Sequence, residues 1–152
     1  MSTARGPGAR TARDEGGSAV VEFVALGVLL LVPLVYLVLM LARVQAGAFA
    51  VSQASREAGR AFVTADTGEA AVARARAAAR ISFEDQDFGD TGRLVLTCDG
   101  DPCLRPEGHV RATASVTVPL PLVPAFVRDA VPLAIPVSAA HVATVDRFRG
   151  LP

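Results

Sequence analysis

Hydropathy along the chain changes pattern abruptly several times. Phe23 to Ala42, FVALGVLLLVPLVYLVLMLA, is twenty residues without a charge. A helix rises about 1.5 Å per residue, so about twenty apolar residues cross the ~30 Å hydrocarbon core of a bilayer. In water, a helix apolar all round must be buried on every side, and a chain of 152 residues is too small for that. The pattern predicts one transmembrane helix over residues 18–43. Pro33 lies inside it, which membrane helices tolerate, and a slight kink is expected there. From Val44 the pattern becomes amphipathic. Val44, Ala48, Val51, Ala58 and Phe62 recur at helical spacings, with Gln45, Ser52, Gln53, Arg56, Glu57 and Arg60 opposite. The membrane helix is therefore expected to continue outward as an amphipathic one.

Thr64 to Gly68, TADTG, breaks that pattern, and Asp66 followed three residues later by Glu69 fits a capping box. The alanine-rich EAAVARARAAAR then predicts a second helix to about Arg80. Its Arg74, Arg76 and Arg80 have no interleaved aromatics and read as a solvated face. FEDQDFGDTG, residues 83–92, reads as an acidic surface loop. Its Glu84, Asp85, Asp87 and Asp90 lack the spacing of a calcium-binding loop.

Strand patterns fill the remainder. Arg93–Cys98 is apolar and β-prone. His109–Val118 alternates, with Val110, Ala112, Ala114, Val116 and Val118 on one face and Arg111, Thr113, Ser115 and Thr117 on the other. The two runs flank CDGDPC, so a hairpin closed at its loop end is predicted. Residues 119–132 are punctuated by proline and read as loop, with a short turn at Pro124–Asp129. Leu133–Val145 alternates again, and Pro136 suits an edge strand. The expected class is α+β: a long N-terminal helix, a second helix and a small antiparallel sheet. The expected divisions are a cytoplasmic leader (1–17), the span (18–43), two outer helices (44–82) and a small β domain (83–152).

Composition narrows the function. With 15 basic and 15 acidic residues the net charge is zero, so no broad basic surface points to nucleic acid. Seven Phe, one Tyr and no Trp leave a core built from Ala, Val and Leu. Arg5, Arg10 and Arg13 precede the span and Arg43 follows it. The positive-inside rule then puts the N-terminus in the cytoplasm and residues 43–152 outside. Cys98 and Cys103 bracket a tight turn in that exported part and read as a disulfide. A zinc site with His109 would lack a fourth ligand. Ala48-Phe49-Ala50 offers a signal-peptidase motif, but a twenty-residue apolar stretch exceeds the ~7–15 of a removable signal. His109 and His141, the two histidines, sit in no nucleophile, metalloprotease or phosphate-binding motif. No enzymatic activity, cofactor or metal is expected.

One residue resists this reading. GGSAVVEF, residues 16–23, places a single carboxylate, Glu22, at the mouth of the apolar segment. At the centre of a membrane helix it would cost about 2.5–3.5 kcal/mol on insertion scales. At the cytoplasmic edge it can reach the headgroups. Glu22 stands five places after Gly17 and is followed by Phe23. This run resembles the processing signal of type IV pilin-like proteins. Residues 16–63, with the small-residue run, Glu-Phe, the proline-bearing Leu/Val span and a polar helix ending in Ala/Arg/Gly, look like the N-terminal region of TadE-like proteins of the tight-adherence (Flp/Tad) pilus system. The resemblance implies that a prepilin peptidase cuts after Gly17, making Ser18 the new N-terminus and Glu22 the fifth residue. Glu22 and Phe23 would serve assembly, because a carboxylate on one subunit can pair with the α-amino group of another. It further implies a minor pilin or pseudopilin whose partners are the peptidase, a major Flp-type pilin, other pseudopilins, an inner-membrane assembly platform and the lipid bilayer. The alternative is a membrane-tethered extracytoplasmic binding module unrelated to pili, in which Glu22 is incidental.

Overall fold

The first element, α1 (Glu15–Val63), is a single helix of 49 residues that passes through Pro33. The computed structural model describes residues 15–120 and 134–149, with side chains from residue 19 onward. After α1 come α2 (Gly68–Glu84), β1 (Arg93–Cys98), β2 (His109–Pro119) and β3 (Ala134–Thr144). The architecture is α+β: a long apolar N-terminal helix, a second helix and a three-stranded antiparallel sheet. Arg5, Arg10, Arg13 and the turn expected at Pro124–Asp129 lie outside the described residues. The chain divides into two compact units, Met1–Leu39 and Met40–Pro152, and α1 supplies residues to both.

In the first unit, α1 exposes Val, Leu and Phe side chains around its circumference, from Val20 to Leu39. From Ala19 onward the helix is long and apolar enough to cross a membrane. Pro33 has no N–H to offer, so the carbonyl one turn earlier, at Leu29, loses its helical partner.

The second unit, here called the head, is built on β2, the middle strand in the order β1-β2-β3. Val110, Ala112, Ala114, Val116 and Val118 are buried on one face of it, as their alternation predicts. The outer part of α1 buries Gly47, Ala50, Val51, Ala54, Ser55, Ala58, Gly59 and Phe62, and its apolar members share one core with that face. Two glycines mark close approach. A Cβ on Gly47 would lie 2.6 Å from Val118 Cγ2, and one on Gly59 would lie 3.1 Å from the Ala143 Cβ. Ala48, expected on the buried side, is exposed. Val51, Ala58 and Phe62 are buried as expected; at this one turn the contact falls a residue earlier because the helix meets the sheet through Gly47, which hydropathy does not mark as a core residue.

α2 packs through Ala71, Ala75, Ala79, Ser82 and Phe83, a stripe at helical spacing. Its N-cap is Thr67, whose hydroxyl accepts from the Ala70 N–H at 3.3 Å. Asp66, expected as the cap, instead pairs with Arg74 at 3.3 Å. The helix also runs past residue 82, to Glu84. Its end is closed by two backbone bonds, from Phe88 N–H to Phe83 C=O (2.8 Å) and from Asp87 N–H to Glu84 C=O (3.1 Å), with Asp87 at φ 60°. That is a Schellman closure with an aspartate in the left-handed position that glycine usually takes. Phe83 and Phe88 are both buried, so the 83–92 stretch is a helix end tied into the core rather than a free acidic loop.

β3 is an edge strand. The Val145 N–H donates to Gly108 C=O, and since N–H groups alternate sides along a strand, that of residue 136 would point to the open edge. Pro136 therefore costs the sheet no ladder bond. The buried hydroxyls are satisfied within their helices, Ser55 by Ser52 C=O at 3.1 Å and Ser82 by Ala78 C=O at 3.3 Å.

Candidate functional site

The sequence directs attention first to residues 17–23. Gly17 and Ser18 lie in the opening turns of α1. Glu22 follows Ser18 by about one turn, roughly 6 Å along the axis. Its side chain is exposed, as are those of Val20, Val21, Phe23 and Val24 around it. Glu22 has no ion-pair partner among the described residues. Between Glu22 and Arg43 the helix carries no charge for about 30 Å, the thickness of a hydrocarbon core. A carboxylate so placed can be solvated at a membrane surface or neutralised by a cation of another molecule.

Arg43, the next charge, belongs to the head. Its guanidinium lies 5.2 Å from the centroid of the Phe88 ring and 3.9 Å from the Asp87 carboxylate. It is thereby bound to the closure of α2.

Where α1 ends, its last carbonyls have no helical N–H to meet. Arg149, 86 residues further on, closes this end: it donates to the last α1 carbonyl, Val63, at 3.1 Å, and to the carbonyls of Ala65 and, at 3.0 Å, Asp66 in the turn that follows. Sequence reading missed this clasp, since no local pattern links residues so far apart. Just before it, the Phe148 N–H donates to the Asp146 carboxylate at 2.7 Å, an Asx turn, and the Arg149 N–H donates to the Asp146 carbonyl at 3.2 Å. Phe148 itself is 80% exposed, with the Arg147 guanidinium 4.6 Å from its ring centroid.

Beside the clasp lies a cavity of about 440 Å³. Its apolar wall is Phe62, Val72, Leu96 and Leu104 together with Cys98 and Cys103, and Asp66, Asp101 and Arg149 bring charge to it. The two cysteines form a disulfide with Cα atoms 5.5 Å apart, as their spacing around CDGDPC predicts. The loop they close is organised by Asp99. Its carboxylate takes the Arg105 guanidinium at 2.8 Å and His109 Nδ1 at 3.0 Å. The His109 backbone N–H holds the Asp99 carboxyl below the usual aspartate range against the opposing effect of partial burial, helped by the His109 ring and the Arg105 charge. His109 is thus engaged by Asp99. Among the described residues no group of three or more His, Cys, Asp and Glu is placed to hold a metal ion. His141 is exposed on β3, with its ring against Gly59 of α1.

What the sequence marked and what the fold assembles are thus in different places. Glu22 and Phe23 stand exposed on the apolar helix, while the head gathers, beside the expected disulfide loop, a cavity and an aromatic knob that no motif announced. No family model matches the chain, and neither a curated protein nor a solved structure does.

Proposed function

We propose that the chain is a membrane-anchored, TadE-like minor pilin or pseudopilin that helps to assemble a Flp/Tad-type pilus, with its N-terminus in the cytoplasm and its head outside. The observation that carries this reading is the uncharged stretch of α1, exposed around its circumference and opening on a single carboxylate at Glu22. An exposed apolar helix of that length needs lipid or other helices around it. A carboxylate at its mouth has a structural use once a neighbouring subunit brings a cation to it. Cleavage after Gly17 would create that cation on Ser18. The prepilin peptidase, the major pilin and the assembly platform belong to this reading as partners.

The test is the mature N-terminus. The full chain is expressed in a host that carries a prepilin peptidase, purified from the membrane and weighed by mass spectrometry. A chain beginning at Ser18 is expected; an intact leader in that host sinks the pilin reading and leaves a membrane-tethered binding module. Glu22→Ala should insert normally and fail to support piliation. Unchanged pilus number in that variant would remove Glu22 from the assembly role.

A further inference from the structure

We infer that the cavity at the end of the head receives the Phe148 side chain of a second copy of this chain, with that copy's Arg147 meeting Asp101. The inference rests on the head and on the anchoring of α1 in a membrane, and not on the pilus reading.

The first observation is that the knob is held ready. An exposed aromatic on a loose terminus would lose much of its contact energy to ordering. Phe148 is not loose: the Asx turn fixes its N–H to Asp146, and Arg149, the next residue, is clasped to carbonyls at the end of α1 and in the turn after it, Val63 and Asp66. The ring is thereby held outward at 80% exposure. The second observation is fit. The cavity of about 440 Å³ is walled by Phe62, Val72, Leu96 and Leu104, apolar surface that a benzyl group covers. Its lining holds Asp101, exposed and without an ion-pair partner among the described residues. The knob brings the matching charge, since the Arg147 guanidinium rides on the Phe148 ring.

The third observation selects the occupant. The residue after Phe148, Arg149, lines the cavity, so knob and cavity are neighbours on one surface. A two-fold axis beside them lets each copy fill the other's cavity at the same time, the self-complementary contact of an isologous dimer. Within one head Phe148 does not line the cavity, although Arg149 beside it does, and its ring stays 80% exposed, so it is left for a second copy. The contact is small, and copies held in one membrane meet at high effective concentration, which favours it.

The experiment uses the full chain in lipid vesicles, prepared as two batches of different isotopic mass and mixed. Phe148 is replaced in both by benzoylphenylalanine, which cross-links to C–H bonds on illumination. Cross-links joining heavy to light copies, mapped to segments containing Phe62, Val72, Leu96 or Leu104, are expected. Products confined to one copy, or mapped away from those segments, overturn the inference. In the same assay, Arg147→Glu should lower the mixed cross-link about tenfold, and Asp101→Arg in the Arg147→Glu background should restore it. No loss with the first change, or no recovery with the second, overturns the assignment of Asp101. Hydrogen exchange across β2 serves as the fold control for every variant.

Discussion

Replacing Gly47 by alanine tests the claim that α1 meets the sheet through backbone proximity. The added Cβ would sit 2.6 Å from Val118 Cγ2 and 3.5 Å from Val116 Cγ2, where carbon atoms prefer about 3.5–4.0 Å. About 1 Å must be found, and Val118, fully buried and β-branched, has little rotamer freedom to give. Alanine gains about 1 kcal/mol over glycine in a helix, while overpacking costs about 1–3 kcal/mol. Gly47→Ala should therefore destabilise the head by about 1 kcal/mol rather than stabilise it as propensity alone dictates. Val118→Ala removes two buried methyl groups and leaves a void, for about 2.5 kcal/mol. In the double variant the new Cβ occupies that void and the helix keeps its propensity gain. The double cost should fall to about 1.5 kcal/mol, against about 3.5 for the sum, a coupling near 2 kcal/mol. The chain has no Trp and its one Tyr, Tyr36, lies in the apolar segment, so intrinsic fluorescence does not report on the head. Hydrogen exchange of the Val110–Val118 amides in detergent micelles gives the opening free energy directly. Costs that add to within about 0.5 kcal/mol would refute the close-approach reasoning.

Other expectations follow from the same contacts. Converting Cys98 and Cys103 to serine opens a loop with a sequence separation of 5, which chain entropy puts at about 2 kcal/mol; head unfolding should occur on the order of 10 °C lower, and an unchanged midpoint would mean the loop is held without the bridge. Asp99 has a folded-state pKa below its ordinary value, so its stabilising contribution is present above about pH 4 and is lost as pH falls through the lowered value. Exchange protection of the disulfide loop should drop below about pH 4, and Asp99→Asn should remove that acid limb and lower protection at neutral pH. Asp87→Gly relieves a left-handed residue at φ 60°, a conformation costing about 1 kcal/mol for an L side chain; α2 amides should exchange more slowly, and faster exchange would show that the Arg43–Asp87 contact outweighs the strain.

The parts of the fold legible in the sequence are those set by local period. The apolar run, the alanine helix and the strict alternation of Val110 to Val118 each point to one element, and the hairpin follows from the turn chemistry between Cys98 and Cys103. Legibility failed where a distant contact overrode the local pattern. FEDQDFGDTG reads as solvated because acids dominate it, yet Phe83 and Phe88 anchor it, and Gly92 allows the Phe83 ring to lie against its backbone. Asp66 satisfies a capping template, but the hydroxyl of Thr67, one place later, takes the bond and frees Asp66 for Arg74. The candidate site divides the same way. Glu22 stands out because a charge beside twenty apolar residues has no local explanation, whereas the Arg149 clasp and the cavity beside it exist only after folding brings residues 62 to 149 together.

The choice of small residues along the outer part of α1 has a consequence for how one helix serves both units. A helix that gripped the sheet with Leu or Phe at each turn would gain more per side chain, about 1.5–3 kcal/mol for full burial. It would also stand further from the sheet. Gly47 and Gly59 give up that side-chain area and bring the helix backbone close to Val118 and Ala143 instead, while Ala50, Ala54 and Ala58 are buried as small core residues, so the attraction is spread over many weak contacts. Cohesion then depends on a few large groups placed where the small ones end: Phe62 at the close of α1, Phe83 and Phe88 at the close of α2, and the disulfide and Arg149 beside the cavity. These are the places where the chain reverses direction, and loss of one loosens an edge rather than the middle. The opposite side of α1, with Gln45, Phe49, Gln53, Arg56 and Arg60 exposed, takes no part in holding the head. It can be altered without disturbing the sheet contact, so contacts along it with other molecules and the packing of the head are set by separate residues of one helix.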